Sequence, residues 1–574
     1  MTPRPASVPL MKSQTWGRWD RETALVAQFA ACISFISFAF YFQHGDLLLY
    51  GDAVAHMNIA RRVFDSRTPG LLQLGTVWLP LPHLLMLPFL IFDAAWQSGI
   101  GGSIPSMIAY ALGTAGIFRL LRGALTVDSH PDAAARIAAW LSAIIYAANP
   151  NLIYVQATAM TESLYLALFI WAVVYFSEFV RLMEDGRLAL PAEPGREDLK
   201  ATTKERSPEI ASSSLVKCGL CLAAACLTRY DGWFLAAATG VAALAVVLKA
   251  KAVDRNLRRS LVKFVLLAAA APILWLAYNA IVYRNPLEFA NGPYSARTIE
   301  QKSTATTHPG SHDLPVAFSY FLKSAELNMA AGGLQKLWVA LLLGIGTVLI
   351  FNRRLSPLLL LGIPIPFYML SIAYSGVPLY LPTWWPFSFY NVRYGLQLLP
   401  FFSAMAAAII CFLLRFAPNK SVKIGVASAA AILIVASYAS VWRAQPVSFQ
   451  EAWVNSRSRI AFETELASNL KKLPHDASLL MYLGDHVGAL QRAGIPLRRT
   501  INEGNHRPWE TPTDREGLWE RALANPSQYV DYVIAMQGDP VDTSVRKQDM
   551  SSALVIRTAG QAPATIYWTH RAAR

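Results

Sequence analysis

Asp52, in the stretch Leu49-Tyr50-Gly51-Asp52-Ala53-Val54-Ala55-His56, is a carboxylate just past the first long apolar segment of the chain, and Arg61 and Arg62 follow it at helical spacing. An acid near two guanidiniums at a membrane–water boundary could serve both proton abstraction and phosphate binding. The combination points to chemistry on a lipid-linked phosphate. His56 lies four residues after Asp52 and shares its face on a helix, where it could contact phosphate, tune Asp52, bind a metal or simply satisfy a hydrogen bond. Asp52 is also a good N-cap for the helix that follows.

Three further positions carry the same chemistry. Arg229, in Thr228-Arg229-Tyr230-Asp231-Gly232, follows a mostly apolar run, and a guanidinium there is costly unless it meets water, an acid or an anion. Arg393 opens a later apolar run, with Asn391 and Tyr394 beside it as hydrogen-bond donors. Two such arginines converging would clamp a phosphate; the plain alternative is pairing with Asp231 or Glu162. Glu162 itself opens an apolar segment, where it could orient an acceptor or a metal, bind an arginine, or only complement a helix dipole.

These residues need elements to hold them, and composition names the elements. The chain has 574 residues, 54% hydrophobic and 15% charged, with its apolar residues in membrane-length blocks. The blocks fall near 23–43, 104–122, 137–154, 162–182, 215–228, 233–250, 262–283, 334–351, 356–374, 393–414 and 424–442, which makes about eleven spans of a polytopic α-helical membrane protein. The first is too long for a signal segment and lacks a cleavage site, so it reads as a retained anchor. All five cysteines lie inside apolar segments and imply helix packing, with no disulfide framework. The net charge of +14 fits basic cytoplasmic loops rather than nucleic acid, since no basic stripe interleaved with aromatics occurs.

Charge bias orients the chain. Lys249–Lys263 holds six basic residues against Asp254 alone, whereas Asp46–Arg67 and Arg284–Glu326 are balanced. Residues 1–22 are therefore cytoplasmic, with a transmembrane domain over 23–443, and Asp52 faces out. The first outer loop, 44–103, includes Thr76–Trp96, long enough to span but interrupted by Pro80, Pro82 and Pro88, so it reads as a membrane-surface or shallow re-entrant segment. Residues 183–214 read as a disordered cytoplasmic linker, and 284–333 as a further outer loop. Residues 444–574 change character to a soluble extracytoplasmic α/β domain, with strands at Ser478–Leu483, Tyr529–Ala535, Ala553–Arg557 and Thr565–Trp568 and helices at Ala452–Leu473 and Val487–Ala493.

The Asp after the first span, the Pro-containing juxtamembrane segment, Thr228-Arg229-x-x-Gly232 between two central spans and Arg393-Tyr394 opening a late one resemble the GT-C membrane glycosyltransferases. The resemblance covers roughly residues 20–415. It is nearest the branch that uses polyprenyl-phosphate sugars, which includes protein O-mannosyltransferases and the aminoarabinose transferases. It implies an inverting transfer on the outer face of a membrane, which the same resemblance makes a bacterial inner membrane, with Asp52 as base, Arg61, Arg229, Arg393 and Tyr394 on the donor phosphate, and His56, Glu162 and Asp231 as auxiliary groups. Its partners would be a polyprenyl-phosphate sugar, membrane lipids and an acceptor that is a glycan, lipid or protein. A single acid stands where protein O-mannosyltransferases carry adjacent Asp-Glu, which leaves the acceptor unassigned. No cofactor is implied. His308, His312 and Asp313 have a spacing that could ligate a divalent metal, but without a partner set that loop reads better as a flexible lid. Leu381–Tyr390 reads as an interfacial aromatic belt, with Trp384 or Trp385 able to stack on a sugar or meet the prenyl chain. A lipid-linked oligosaccharide ligase or polymer transferase is the neighbouring reading, and a flippase or transporter the distant one.

Overall fold

The computed structural model describes residues 19–127, 131–188, 197–249, 255–298, 308–351, 355–484, 486–505, 517–547 and 550–572. Most of the expected cytoplasmic N-terminus, part of the expected linker (189–196) and part of the expected second outer loop (299–307) lie outside these residues. The helices are α1 (Arg21–His44), α2 (Gly51–Arg62), α3 (Leu81–Leu90), α4 (Asp93–Ser98), α5 (Ile100–Leu125), α6 (Ala133–Ala147), α7 (Pro150–Val155), α8 (Glu162–Leu188), α9 (Glu197–Cys226), α10 (Asp231–Leu248) and α11 (Arg255–Tyr283). After a short α12 (Glu288–Asn291) come α13 (Leu314–Met329), α14 (Leu334–Phe351), α15 (Pro364–Tyr374), α16 (Leu399–Phe416), α17 (Lys420–Ala444), α18 (Val447–Leu470) and α19 (Gly488–Ala493).

Side-chain caps mark several starts: Asp20 accepts from the Thr23 amide, Asp132 from Ala135, Asp313 from Val316 and Asn419 from Val422. Gly45, at φ 77°, closes α1. Among the described residues, nine helical segments are long and apolar enough to cross a membrane, and the protein is an integral, multi-pass membrane protein. The two remaining expected spans fall on α6, only 15 residues long because Asn149-Pro150 restarts the chain as α7, and on α14. The expected disordered linker is corrected in part: α9 begins at Glu197 and runs through the rest of it, since Glu, Lys and Ala are good helix formers wherever a span continues from them.

The segment expected to form the first outer loop, from the end of α1 to the start of α5, is built of α2, α3 and α4. No single long helix forms over Thr76–Trp96; its prolines stand at the start of α3 and, as Pro88, within it. α5 passes close beneath: a Cβ on Gly102 would sit 2.4 Å from the Ala159 Cβ and 2.7 Å from the Met57 side chain. That glycine lets α2 lie against the bundle.

The C-terminal domain carries a five-stranded sheet in the order β2-β1-β3-β5-β4, from β1 (Leu479–Met481), β2 (Thr500–Ile501), β3 (Tyr532–Met536), β4 (Ser551–Ile556) and β5 (Ala564–Trp568). β1 is parallel to β2 and β3, while β5 is antiparallel to β3 and β4. Leu480, Ile501, Trp519, Val533 and Val541 form a core of their own on one side of it. The helix α18 joins this domain to the bundle, because Val447, Ala452, Phe462, Leu466 and Leu470 belong to the main core.

Candidate active site

Asp52 stands in the first turn of α2 with 41% of its side chain exposed. Tyr50 occupies the N-cap position, and no side chain caps this helix. The Asp52 carboxylate instead accepts from Arg393, with Oδ2 at 2.5 Å from Nη2. Arg393 enters from a tight turn over Val392–Leu398 that lies hard against α13; a Cβ on Gly395 would come 2.4 Å from the Ser324 carbonyl carbon.

Arg393 is nearly buried and is shared among three acids. Besides Asp52, its Nε donates to Glu162 Oε1 at 3.2 Å and its Nη1 to Glu451 Oε1 at 2.5 Å. Glu451 also accepts the backbone amides of Asn391 (3.1 Å) and Arg393 (3.2 Å). Asn391 has a left-handed backbone at φ 59°, so Glu451 fixes the turn that aims Arg393.

Arg229 comes from the short connection between α9 and α10. Its Nη1 donates to Thr161 Oγ1 at 3.1 Å and to Glu162 Oε1 at 3.4 Å, and its Nη2 to the Tyr368 hydroxyl at 2.9 Å. Tyr368 in turn donates to Asp231 Oδ2 at 3.3 Å. The Tyr394 ring stacks against both arginines, with each guanidinium carbon 5.2 Å from its centre. Thus two guanidiniums face four carboxylates, Asp52, Glu162, Asp231 and Glu451. Arg229 Nε faces Asp231 Oδ1 as an ion pair at 3.5 Å, with neither atom in a hydrogen bond, and the buried Glu162 Oε2 also has no hydrogen-bond partner. A buried polar atom without a partner is expensive.

Of the residues expected from sequence, Asp52, Glu162, Arg229, Asp231, Arg393 and Tyr394 come together. His56 and Arg61 spend their hydrogen bonds elsewhere. His56 is buried, its Nδ1 2.9 Å from His83 Nε2 and its ring 4.6 Å from that of Trp78. Burial, reinforced by the positive charges of Arg229 and Arg393, pushes its pKa down to about 3, so the ring stays neutral. Its hydrogen bond goes to His83 and not to Asp52. Arg61 lies at the far end of α2, bonded to Asp65 (2.9 Å), Asp93 (2.5 Å) and the carbonyls of Leu90 (2.5 Å) and Ile91 (3.3 Å). Its neighbour Arg62 faces Glu503 at 3.6 Å.

His308 and Asp313 also have structural partners: His308 Nε2 bonds to the Ile372 carbonyl at 2.8 Å, and Asp313 caps α13. The two residues anchor a turn against α15 where a lid was expected. Among the described residues, no cluster of three or more His, Cys, Asp or Glu side chains is arranged to hold a metal ion. The aromatic stretch packs Trp384 edge-on to Tyr320 and leaves Trp385 exposed. Sequence reasoning missed Glu451, Tyr368 and Thr161. Only Thr161, next to Glu162, carried any signal; Glu451 and Tyr368 are hundreds of residues from Asp52 in the chain and nothing local marks them.

No family model and no curated protein matches the chain. Solved structures do. ArnT from Cupriavidus metallidurans bound to undecaprenyl phosphate superposes with a TM-score of 0.54 at 14% identity, over 95% of this chain and 98% of that one. The same protein in the apo state gives 0.52 at 13% identity, over 95% and 97%. Archaeal oligosaccharyltransferase AglB from Archaeoglobus fulgidus, in complex with an inhibitory peptide and a dolichol-phosphate, gives 0.46 at 13%, over 90% and 69%. The likeness to ArnT extends over nearly the whole of both chains, and this protein therefore has the fold of those structures.

Proposed function

We propose that the protein is an inverting glycosyltransferase that moves a sugar from a polyprenyl-phosphate donor to a hydroxyl acceptor on the extracytoplasmic side of a membrane. The observation that carries the reading is the Asp52 cluster: an open carboxylate bonded to one of two arginines, in a chain folded like a protein crystallised with undecaprenyl phosphate.

The chemistry follows from the contacts. Of the three acids on Arg393, Glu162 and Glu451 are buried and Asp52 is open, so the Asp52 contact is the one a phosphate can replace. The donor phosphate takes Arg393 Nη2 and approaches Arg229, whose Nε keeps only a 3.5 Å ion pair with Asp231, and Asp52 is released to the acceptor. The acceptor hydroxyl attacks the anomeric carbon, its proton passes to Asp52, and the bond from that carbon to the phosphate oxygen breaks with its electron pair on oxygen. The two arginines hold the phosphate monoester that leaves. Glu162, Asp231 and Tyr368 keep Arg229 aimed, and Tyr394 holds the two guanidiniums apart.

The test is transfer of labelled sugar by the purified protein in nanodiscs, from a panel of polyprenyl-phosphate sugars and of the matching sugar nucleotides. Turnover with a polyprenyl-phosphate sugar and none with nucleotides is expected. Use of nucleotides alone, or transport of the lipid without bond cleavage, overturns the reading.

A further inference from the structure

The C-terminal segment does more than cover the bundle, because it holds α2 at both ends. At the end that carries Asp52, the Tyr50 hydroxyl donates to the Ser448 carbonyl at 2.7 Å. Arg459 Nη2 donates to the carbonyls of Leu48 and Leu49, at 3.0 and 2.9 Å. The Arg459 Nε lies 3.8 Å from where a Cβ on Gly51 would be, one residue from Asp52. Arg459 is itself fixed: its Nη1 bonds Glu463 Oε2 at 2.9 Å, and Glu463 is 1% exposed and also takes Arg492 at 3.4 Å.

At the other end of α2, Asn58, Gln491 and Trp96 close a ring of hydrogen bonds. Asn58 donates to Gln491 (2.9 Å), Gln491 to the Trp96 carbonyl (2.6 Å), and the Trp96 indole to Asn58 (3.1 Å). Just beyond α2, the buried Asp65 accepts the amides of Leu497 and Arg498, each at 3.2 Å. Ser448, Glu451 and Arg459 all lie on α18. One helix therefore sets both partners of the central ion pair: Glu451 aims Arg393, and Arg459 fixes the chain entering Asp52.

We infer that Arg459 is a positioning residue for Asp52, and that the C-terminal domain serves the reaction by holding α2 in register with Arg393. This rests on the proposed role of Asp52 as base. Arg459 touches neither donor nor acceptor in that reading; it acts through two backbone carbonyls. No side chain caps the first turn, so these carbonyl contacts bear directly on where Asp52 sits, and misplacing a reacting group by about 1 Å can cost about a hundredfold in rate.

The test compares Arg459→Met, which keeps most of the stem, with Arg459→Lys, which keeps a donor, in the nanodisc transfer assay. Arg459→Met is expected to lower kcat by about ten- to a hundredfold with the donor KM within about twofold. Arg459→Lys should recover most of it, and backbone amides over 50–54 should exchange faster in Arg459→Met while those of the C-terminal sheet do not. A changed KM with unchanged kcat, or kcat unaltered in a folded Arg459→Met, overturns the inference. If Arg459→Met does not fold, Glu463→Gln loosens the same guanidinium from its anchor: a kcat drop at constant KM supports the role, and an unchanged kcat overturns it. Wild-type protein that transfers no sugar defeats the proposed function instead. Active wild type, inactive Asp52→Asn and unaffected Arg459 variants defeat this inference alone.

Discussion

Arg61 and Arg393 are both nearly buried and both bonded to carboxylates, yet they sit in opposite kinds of surroundings. Arg61 is complete: its Nε, Nη1 and Nη2 reach two acids and two backbone carbonyls, and its guanidinium stacks on Trp96 at 4.9 Å. Arg393 also has its Nε, Nη1 and Nη2 bonded, but to three acids, in a cluster of four carboxylates around two guanidiniums. A buried guanidinium balanced by its acids and carbonyls ties the fold together, whereas one crowded by surplus acids can exchange an open carboxylate for a ligand's anion. The two ends of one helix thus divide the labour. The Asp52 end is open to chemistry, and the Arg61 end locks α2 to α3, α4 and the C-terminal domain.

That division can be broken experimentally. Arg393→Ala is expected to lower transfer on the order of a thousandfold, through loss of donors to the leaving phosphate, measured as kcat/KM in nanodiscs. Arg61→Ala should show the converse: a loss of about 3 kcal/mol in stability, from uncovering buried Asp65, seen as a lower Tm, while transfer per folded molecule stays within about twofold. Glu451→Gln keeps the shape but removes the charge on Arg393, and an effect of about tenfold on the donor KM, from one weakened charge-assisted bond, would separate aiming from catalysis. The smallest effect concerns His56. Its folded pKa of about 3 lies below the ordinary value of about 6.5, so the unfolded chain binds its proton first. The stability this neutral histidine provides is full above about pH 6.5 and declines as pH falls toward 3. His56→Asn should flatten the loss of Tm between pH 7 and 5 by the equivalent of up to about 1.4 kcal/mol per pH unit, and should leave no mark on the pH dependence of kcat near neutrality.

Periodic features were the legible part of the sequence. Nine of the expected spans coincide with long apolar helices, and four of the strands with β1, β3, β4 and β5. The two-residue β2 is too short to show a period. The site was half legible for a related reason. Asp52, Glu162, Arg229 and Arg393 each stand at the end of an apolar run, where a charge is conspicuous, whereas Glu451 lies in a polar stretch, Phe449-Gln450-Glu451-Ala452, where one acid looks like any other. Arg61 misled because spacing from Asp52 along a helix says nothing of which partners wait at the far end. Asp93, whose carboxylate draws it away, is 32 residues downstream.

The central claim is that Asp52 takes the acceptor proton once the donor phosphate has replaced it on Arg393. The most direct test is a single-turnover experiment on Asp52→Asn with the donor bound at saturation in nanodiscs. The account predicts that the folded variant retains the polyprenyl-phosphate sugar and transfers it at least a hundredfold more slowly than wild type, about the contribution of a positioned base. Transfer at the wild-type rate from the same bound donor would contradict it.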